Sequence, residues 1–318
     1  MLNFVILIAG FVSLIFGAGK LVDASSSLAS RMGIPNIVIG LTIVAFGTSA
    51  PELVVNLFAA VNNNTEMVLG NVLGSNIFNV LAILGISSIL APLTVKTNTT
   101  WLEIPLSLLA AVAVLIIASD VYLDNSAGDV ISRADGLVLL LFFAIFLVYN
   151  LKIAKGGAGN EETATKNYTY LQAVLLILLG LAGLILGGRL IVTSASSMAQ
   201  AFGLSERIIG LTVVSIGTSL PELATSVVAV RRKNTDIAIG NVVGSNIFNI
   251  FLILGTSTIV TPLQVHTNSL VDLAVNIAAS LLLFIFIFTG RGRQLTRGEG
   301  MVLLLLYLSY LAFLINQE

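Results

Sequence analysis

Two stretches of a largely apolar chain carry groups able to hold a cation. Gly47-Thr48-Ser49-Ala50-Pro51-Glu52 places a carboxylate, two hydroxyls and a proline inside an apolar segment running from about Ile34 to Val61, and Gly217-Thr218-Ser219-Leu220-Pro221-Glu222 repeats it 170 residues later. An ionisable side chain at the centre of a bilayer costs about 2.5–3.5 kcal/mol on insertion scales, so two such glutamates need a polar cavity, partners or a bound cation. Pro51 and Pro221 lack an N–H and crowd the carbonyl four residues back, which frees the carbonyls of Gly47 and Gly217 and bends the helix. Thr48 and Ser49 precede Glu52 by four and three residues and share a helix face with it. A second element, Gly70-Asn71-Val72-Leu73-Gly74-Ser75-Asn76-Ile77-Phe78-Asn79, recurs as Gly240-Asn241-Val242-Val243-Gly244-Ser245-Asn246-Ile247-Phe248-Asn249. Ser75 and Asn79, like Ser245 and Asn249, stand one helical turn apart, and Gly70 and Gly74 permit close helix contact. Carboxylates, hydroxyls and amides with no accompanying imidazole or thiolate favour alkali and alkaline-earth cations over zinc or copper.

The elements that carry these motifs lie in a membrane. Charged residues are 10% of the 318, the apolar fraction is 57%, and mean hydropathy is +1.02. The chain has no cysteine, which excludes disulfides, thiolate metal sites and cysteine nucleophiles, and His266 is its one histidine. The opening apolar run has neither a basic leader nor a small-residue cleavage site and reads as a retained first helix. Ten apolar runs are long enough to cross a hydrocarbon core of about 30 Å. They fall near 2–19, 34–61, 66–90, 102–119, 136–153, 170–190, 204–230, 236–261, 270–289 and 298–316. The backbone's need for internal hydrogen bonds makes them helices, so the fold class is an all-α integral membrane protein. A Gly-rich charged linker, 154–169, divides a first five-helix repeat, 1–153, from a second, 170–318. Of the 44 positions from Asn36 to Asn79, 23 are identical to the residue 170 further on. An odd number of crossings per repeat inverts the second copy. With the N-terminus outside, 12 of the 15 basic residues fall on inner loops and only Arg133, Arg189 and Arg207 outside, so both termini are expected to face out of the cell membrane. Inverted repeats with interrupted helices at their interface are a recurrent plan of secondary transporters, with the site near the midplane at helices 2, 3, 7 and 8. His-Glu-x-x-His and Gly-x-Ser-x-Gly are absent and no lysine or histidine accompanies the buried serines as a base, so an enzyme is not expected.

The doubled GTSAPE/GNVLGSNIFN and GTSLPE/GNVVGSNIFN resemble the two alpha-repeats, about 36–86 and 206–256, of the cation/calcium antiporter superfamily, most closely its prokaryotic sodium/calcium exchangers. The resemblance spans the whole chain. It implies electrogenic exchange of three Na⁺ for one Ca²⁺ by alternating access, with no cofactor, no nucleic acid and no obligate protein partner, the lipid bilayer being the surrounding medium. It implies Glu52 and Glu222 with the carbonyls of Thr48 and Thr218 as calcium ligands, and Ser49, Ser75, Ser219 and Ser245 with the carbonyls of Ala45 and Ser215 at flanking sodium sites, Asn79 and Asn249 completing the centre. Some archaeal exchangers of this type carry an aspartate where this chain has Asn249. The site charge is then at most −2, which balances one Ca²⁺ or two Na⁺, and a proton/Ca²⁺ or other cation/Ca²⁺ antiporter is the alternative. Helices one and six, with matched Gly10, Gly17, Gly180 and Gly187, are the expected moving pair. Asn71, Asn76, Asn241 and Asn246 are expected to be structural, Glu66 and Asp236 to begin helices, and Asp120, Asp124, Asp129 and His266 to lie in outer loops.

Overall fold

The computed structural model describes residues 2–155, 166–201, 215–289 and 292–316. Among them, eight helices are long and apolar enough to cross a membrane, and a bent pair makes a ninth candidate span. In chain order they are α1 (Leu2–Met32), the bent pair α2 (Asn36–Thr48) and α3 (Ala50–Val61), α4 (Thr65–Leu90) and α5 (Thr99–Ile117). After the short α6 (Asp120–Asp124) come α7 (Arg133–Lys155) and α8 (Tyr170–Ala201). The expected crossing over 204–230 lies partly outside the described residues; its described part is α9 (Ser215–Thr218) and α10 (Leu220–Arg231). The chain ends with α11 (Thr235–Val260), α12 (Thr267–Thr289) and α13 (Arg297–Asn316).

Helix ends follow local chemistry more than hydropathy. The apolar run at 2–19 stops at Lys20, yet α1 continues to Met32 and ends where Gly33 adopts φ +63°, the left-handed conformation that terminates helices. Asn64 and Asn234 each accept a hydrogen bond from the backbone N–H three residues on, which starts α4 and α11, and Glu66 and Asp236 fall in the first turns as expected.

The most apolar stretches of α4 and α11 are 83% and 94% buried inside the molecule, against 17–39% for the other spans, so these two helices form the centre. Each is interrupted by a wider π turn, Phe78–Leu84 and Phe248–Leu254, 170 residues apart. Such segments often sit at functional positions because they re-aim side chains. α2 packs on α11, with Gly40 against the backbone of Ile237 and Gly240, while α3 packs on the π turn of α11 and α10 on the π turn of α4. α7 and α13 flank these centres and α5 packs on α12. Two short antiparallel ladders tie loops together: β1 (Leu93–Thr94) with β4 (Gln294–Leu295), and β2 (Val130–Ile131) with β3 (Leu263–Gln264).

α1 and α8 run against each other through the four glycines noted in the sequence. A Cβ on Gly17 would lie 2.6 Å from the Gly180 carbonyl, and one on Gly180 2.8 Å from the Gly17 carbonyl; Gly10 and Gly187 oppose each other in the same way. Small residues let membrane helices approach at backbone distance. Gly17→Ala is therefore expected to destabilise the detergent-solubilised protein by about 1–3 kcal/mol, an overpacking cost the backbone cannot relieve. Gly19→Ala, with nothing within 4 Å, serves as the control and should be neutral or stabilising in the same thermal melt.

Candidate ion-binding site

The helix break that creates the site falls at Ser49 and Ser219, two residues after the glycines. Ser49 has φ −84°, ψ 3° and Ser219 has φ −91°, ψ 7°, and the two arms of the first break meet at 47°. Each proline thus opens a new helix, where its missing N–H costs nothing, and each glutamate sits in that helix's first turn, at the positive end of its dipole.

A serine preceding a helix usually caps it with its own hydroxyl. Neither Ser49 nor Ser219 does so. Each reaches instead to the glutamate of the other half: Ser49 Oγ donates to Glu222 Oε1 at 2.9 Å, and Ser219 Oγ lies 3.2 Å from Glu52 Oε1. Ser245 Oγ is 3.4 Å from the same Glu222 oxygen, and Ser75 Oγ is 3.1 Å from Ser219 Oγ. Glu52, Glu222 and these four serines are all buried. One oxygen of each carboxylate is occupied by hydroxyls, while Glu52 Oε2 and Glu222 Oε2 are buried without a hydrogen-bond partner.

The asparagines supply two further bare oxygens. Asn79 Nδ2 donates to Asn246 Oδ1 and Asn249 Nδ2 to Asn76 Oδ1, each at 3.0 Å. Asn76 and Asn246 in turn donate to each other's backbone carbonyl, at 3.3 and 3.5 Å. The crossed amides fix which end of Asn79 and Asn249 is the donor, and leave Asn79 Oδ1 and Asn249 Oδ1 buried and unpartnered. Four buried acceptors without donors, two of them on carboxylates, are what a hard cation replaces water with.

The remaining expected ligands are placed as follows. Ala45 is buried and its carbonyl accepts from Ser49 N–H at 2.9 Å. Thr48 Oγ1 lies within 3.0–3.3 Å of Asn241 Oδ1 and the carbonyls of Val44 and Ala45. Thr218 Oγ1 lies 3.4 Å from Asn71 Oδ1. Ser215 begins α9, and its side chain lies outside the described residues. Asn71 and Asn241 thus brace the threonines of the opposite half, and Asn241 Nδ2 also holds the Glu222 carbonyl at 3.1 Å and Ser226 Oγ at 3.0 Å. The sequence signals Asn71, Asn76, Asn241 and Asn246 by repeating them, but each also has a partner in the other half that spacing does not reveal. Among the described residues no group of three or more His, Cys, Asp or Glu could hold a metal, so the site depends on neutral oxygens around two acids.

The profile of the family "Sodium/calcium exchanger protein" matches residues 2–152 and 172–316. The chain is 36% identical over 315 residues to the "Putative antiporter CaxA" of Alkalimonas amylolytica, covering 96% of each. It is 34% identical over 345 residues to the "Sodium/calcium exchanger MaX1" of Methanosarcina acetivorans, covering 98% of each. The solved structure of the sodium-calcium exchanger NCX_Mj superposes with a TM-score of 0.84 at 33% identity, over 98% of each chain. The protein is accordingly a multi-helix membrane transporter and not an enzyme, and it belongs to the sodium/calcium exchanger family.

Proposed function

We propose that this chain exchanges Na⁺ for Ca²⁺ across the cell membrane at a single central cluster, by alternating access. The observation that carries the reading is the set of bare, buried oxygens on Glu52, Glu222, Asn79 and Asn249. Glu52 and Glu222, with the carbonyls of Thr48 and Thr218, hold Ca²⁺. Ser49, Ser75, Ser219 and Ser245, with the carbonyls of Ala45 and Ser215, hold Na⁺ around it, and Asn79 and Asn249 complete the centre. The two carboxylates neutralise one Ca²⁺ or two Na⁺; a third Na⁺ on neutral oxygens makes the cycle electrogenic. Because the ions compete for the same oxygens, occupancy by one releases the other, and that competition is the coupling.

The architecture of this reading is ten crossings in two inverted repeats, 1–153 and 170–318, joined by the linker 154–169, with both termini outside. Loop contacts support it. β1 and β4 join two loops expected inside, β2 and β3 two loops expected outside. The Lys96–Asp236 ion pair at 2.7 Å and the His266 Nε2–Glu66 Oε1 contact at 3.3 Å link residues on the same expected side and are related by the 170-residue shift. α1 and α8, which touch through backbone at their glycines, slide over the core of α2–α4 and α9–α11.

The test is ⁴⁵Ca²⁺ uptake into proteoliposomes loaded with Na⁺, K⁺ or acid. Uptake dependent on an outward Na⁺ gradient is expected. Uptake driven only by a proton gradient would replace this reading with proton/Ca²⁺ antiport on the same two glutamates.

A further inference from the structure

Outside the central cluster, α1 carries a buried carboxylate that the exchange mechanism does not use. The Asp23 side chain is only 4% exposed and meets two cations, Arg232 Nη1 at 2.7 Å and Lys166 Nζ at 2.8 Å, whose side chains are 40% and 46% exposed. Arg232 lies in the turn between α10 and α11, and Lys166 precedes α8. The hydrogen bond and charge of Asp23 hold the Lys166 ammonium above its usual range. Two neighbouring serines fasten the same stretch: Ser26 Oγ accepts from Asn234 Nδ2 at 3.0 Å, and Ser27 Oγ from Tyr168 N–H at 2.8 Å. Asn234 is also the residue that starts α11, the helix carrying Ser245 and Asn249. The end of α1 is therefore bolted to the first turn of a site helix.

Two of these three charged residues have uncharged mates in the other half. Under the 170-residue shift Asp23 corresponds to Thr193 and Arg232 to Asn62, both uncharged and exposed. Ser25, Ser26 and Ser27 are buried, whereas their mates Ala195, Ser196 and Ser197 are half-buried. Among the described residues, the repeats that are so nearly identical around the glutamates differ at this end of the moving pair in both charge and burial.

We infer that Asp23 is a positioning residue for exchange: with Arg232 and Lys166 it forms a one-sided ionic latch that holds the end of α1 shut over the core at the linker face. Opening at that face breaks ion pairs; among the described residues, the matching end of α8 at the opposite face has none of this kind to break. The inference rests on the alternating-access reading above, in which α1 and α8 move. The latch biases the empty carrier toward the state closed at the linker face and weakens with rising salt, because its cations are partly exposed.

Ser25 gives a direct reporter. It is fully buried, its hydroxyl has no partner, and the chain contains no cysteine, so Ser25→Cys introduces a single thiol without removing a hydrogen bond. In detergent, a membrane-impermeant maleimide should label Ser25→Cys slowly. Adding Asp23→Asn should accelerate labelling at least tenfold, Arg232→Gln and Lys166→Gln less, and Asp23→Glu should restore the slow rate. Asp23→Asn leaves behind two cations that can rehydrate, and the two cation variants cover the case in which it does not fold. In proteoliposomes the half-saturating Ca²⁺ at the linker face should fall at least threefold. Unchanged labelling in the folded variants overturns the latch. So does fast labelling accompanied by a lower melting temperature and lost exchange, which a mere buttress would give. Absence of exchange in the unmodified protein under every gradient would instead sink the exchanger reading, while the labelling series judges the latch independently.

Discussion

Glu52→Gln and Glu222→Gln are each expected to reduce ⁴⁵Ca²⁺ uptake into Na⁺-loaded proteoliposomes by two orders of magnitude or more. Among the described residues the two carboxylates are the charged groups of the cluster, each bonded to hydroxyls through one oxygen and bare at the other. Glutamine preserves volume and one acceptor oxygen but leaves a single negative charge against a dehydrated divalent ion. Removing one partner of a buried ionic contact costs about 3–5 kcal/mol. At 1.36 kcal/mol per tenfold this is roughly 10²–10⁴ in binding. The ion-free protein should melt no lower than the unmodified one, since an uncharged amide is cheaper to bury than a carboxylate without its cation. Ca²⁺ should raise the melting temperature of the unmodified protein but not of either variant. Uptake within a few-fold of normal in either variant would remove that glutamate from the site.

Much of this site could be read from the chain because it is written twice. A carboxylate, two hydroxyls and a proline in an apolar run have no cheap explanation once, and their recurrence at a fixed shift excludes accident. Less visible was how the halves combine. Spacing put Ser49 beside Glu52 on one helix face, yet its hydroxyl bonds Glu222, because the helix breaks at Ser49 and turns that side chain across the interface. The proline was expected to bend a continuous helix at Gly47; it starts a new one, and the bend lies at the serine. Hydropathy ended the first helix near residue 19, since it registers Lys20 and Asp23 as polar, while the backbone continues to Met32 because Asp23 is paired rather than solvated. His266, which lies in an outer loop by sequence, meets Glu66 across the fold. In each of these pairings the partner lies more than 100 residues away, and local spacing carries no information about it. Of the crossing over 204–230 the described residues hold Ser215 onward, so the counterpart of α2 is seen in its last turn, α9.

Asn249→Asp is expected to move the voltage-sensitive step from the sodium limb of the cycle to the calcium limb. In the proposed three-for-one cycle, a Ca²⁺-loaded centre with two carboxylates is neutral and a centre holding three Na⁺ carries +1. With a third carboxylate at Asn249, whose Oδ1 is already buried and bare, the Ca²⁺-loaded centre carries −1 and the three-Na⁺ centre is neutral. Net charge per cycle is unchanged, because it depends only on the ions exchanged. Ca²⁺/Ca²⁺ self-exchange isolates one limb. In the unmodified protein its rate should be indifferent to an imposed potential, while Na⁺-driven uptake responds to it. In Asn249→Asp, self-exchange should become potential-dependent. The response is bounded by about 2.3 kcal/mol per 100 mV for a full charge crossing the full field, close to 50-fold. The substitution also removes the donor that now meets Asn76 Oδ1, so Asn76→Ser in the same background separates charge from hydrogen bonding. Potential-dependent self-exchange in the unmodified protein would mean that the Ca²⁺-loaded centre is already charged, and two carboxylates would then be the wrong count for the moving site.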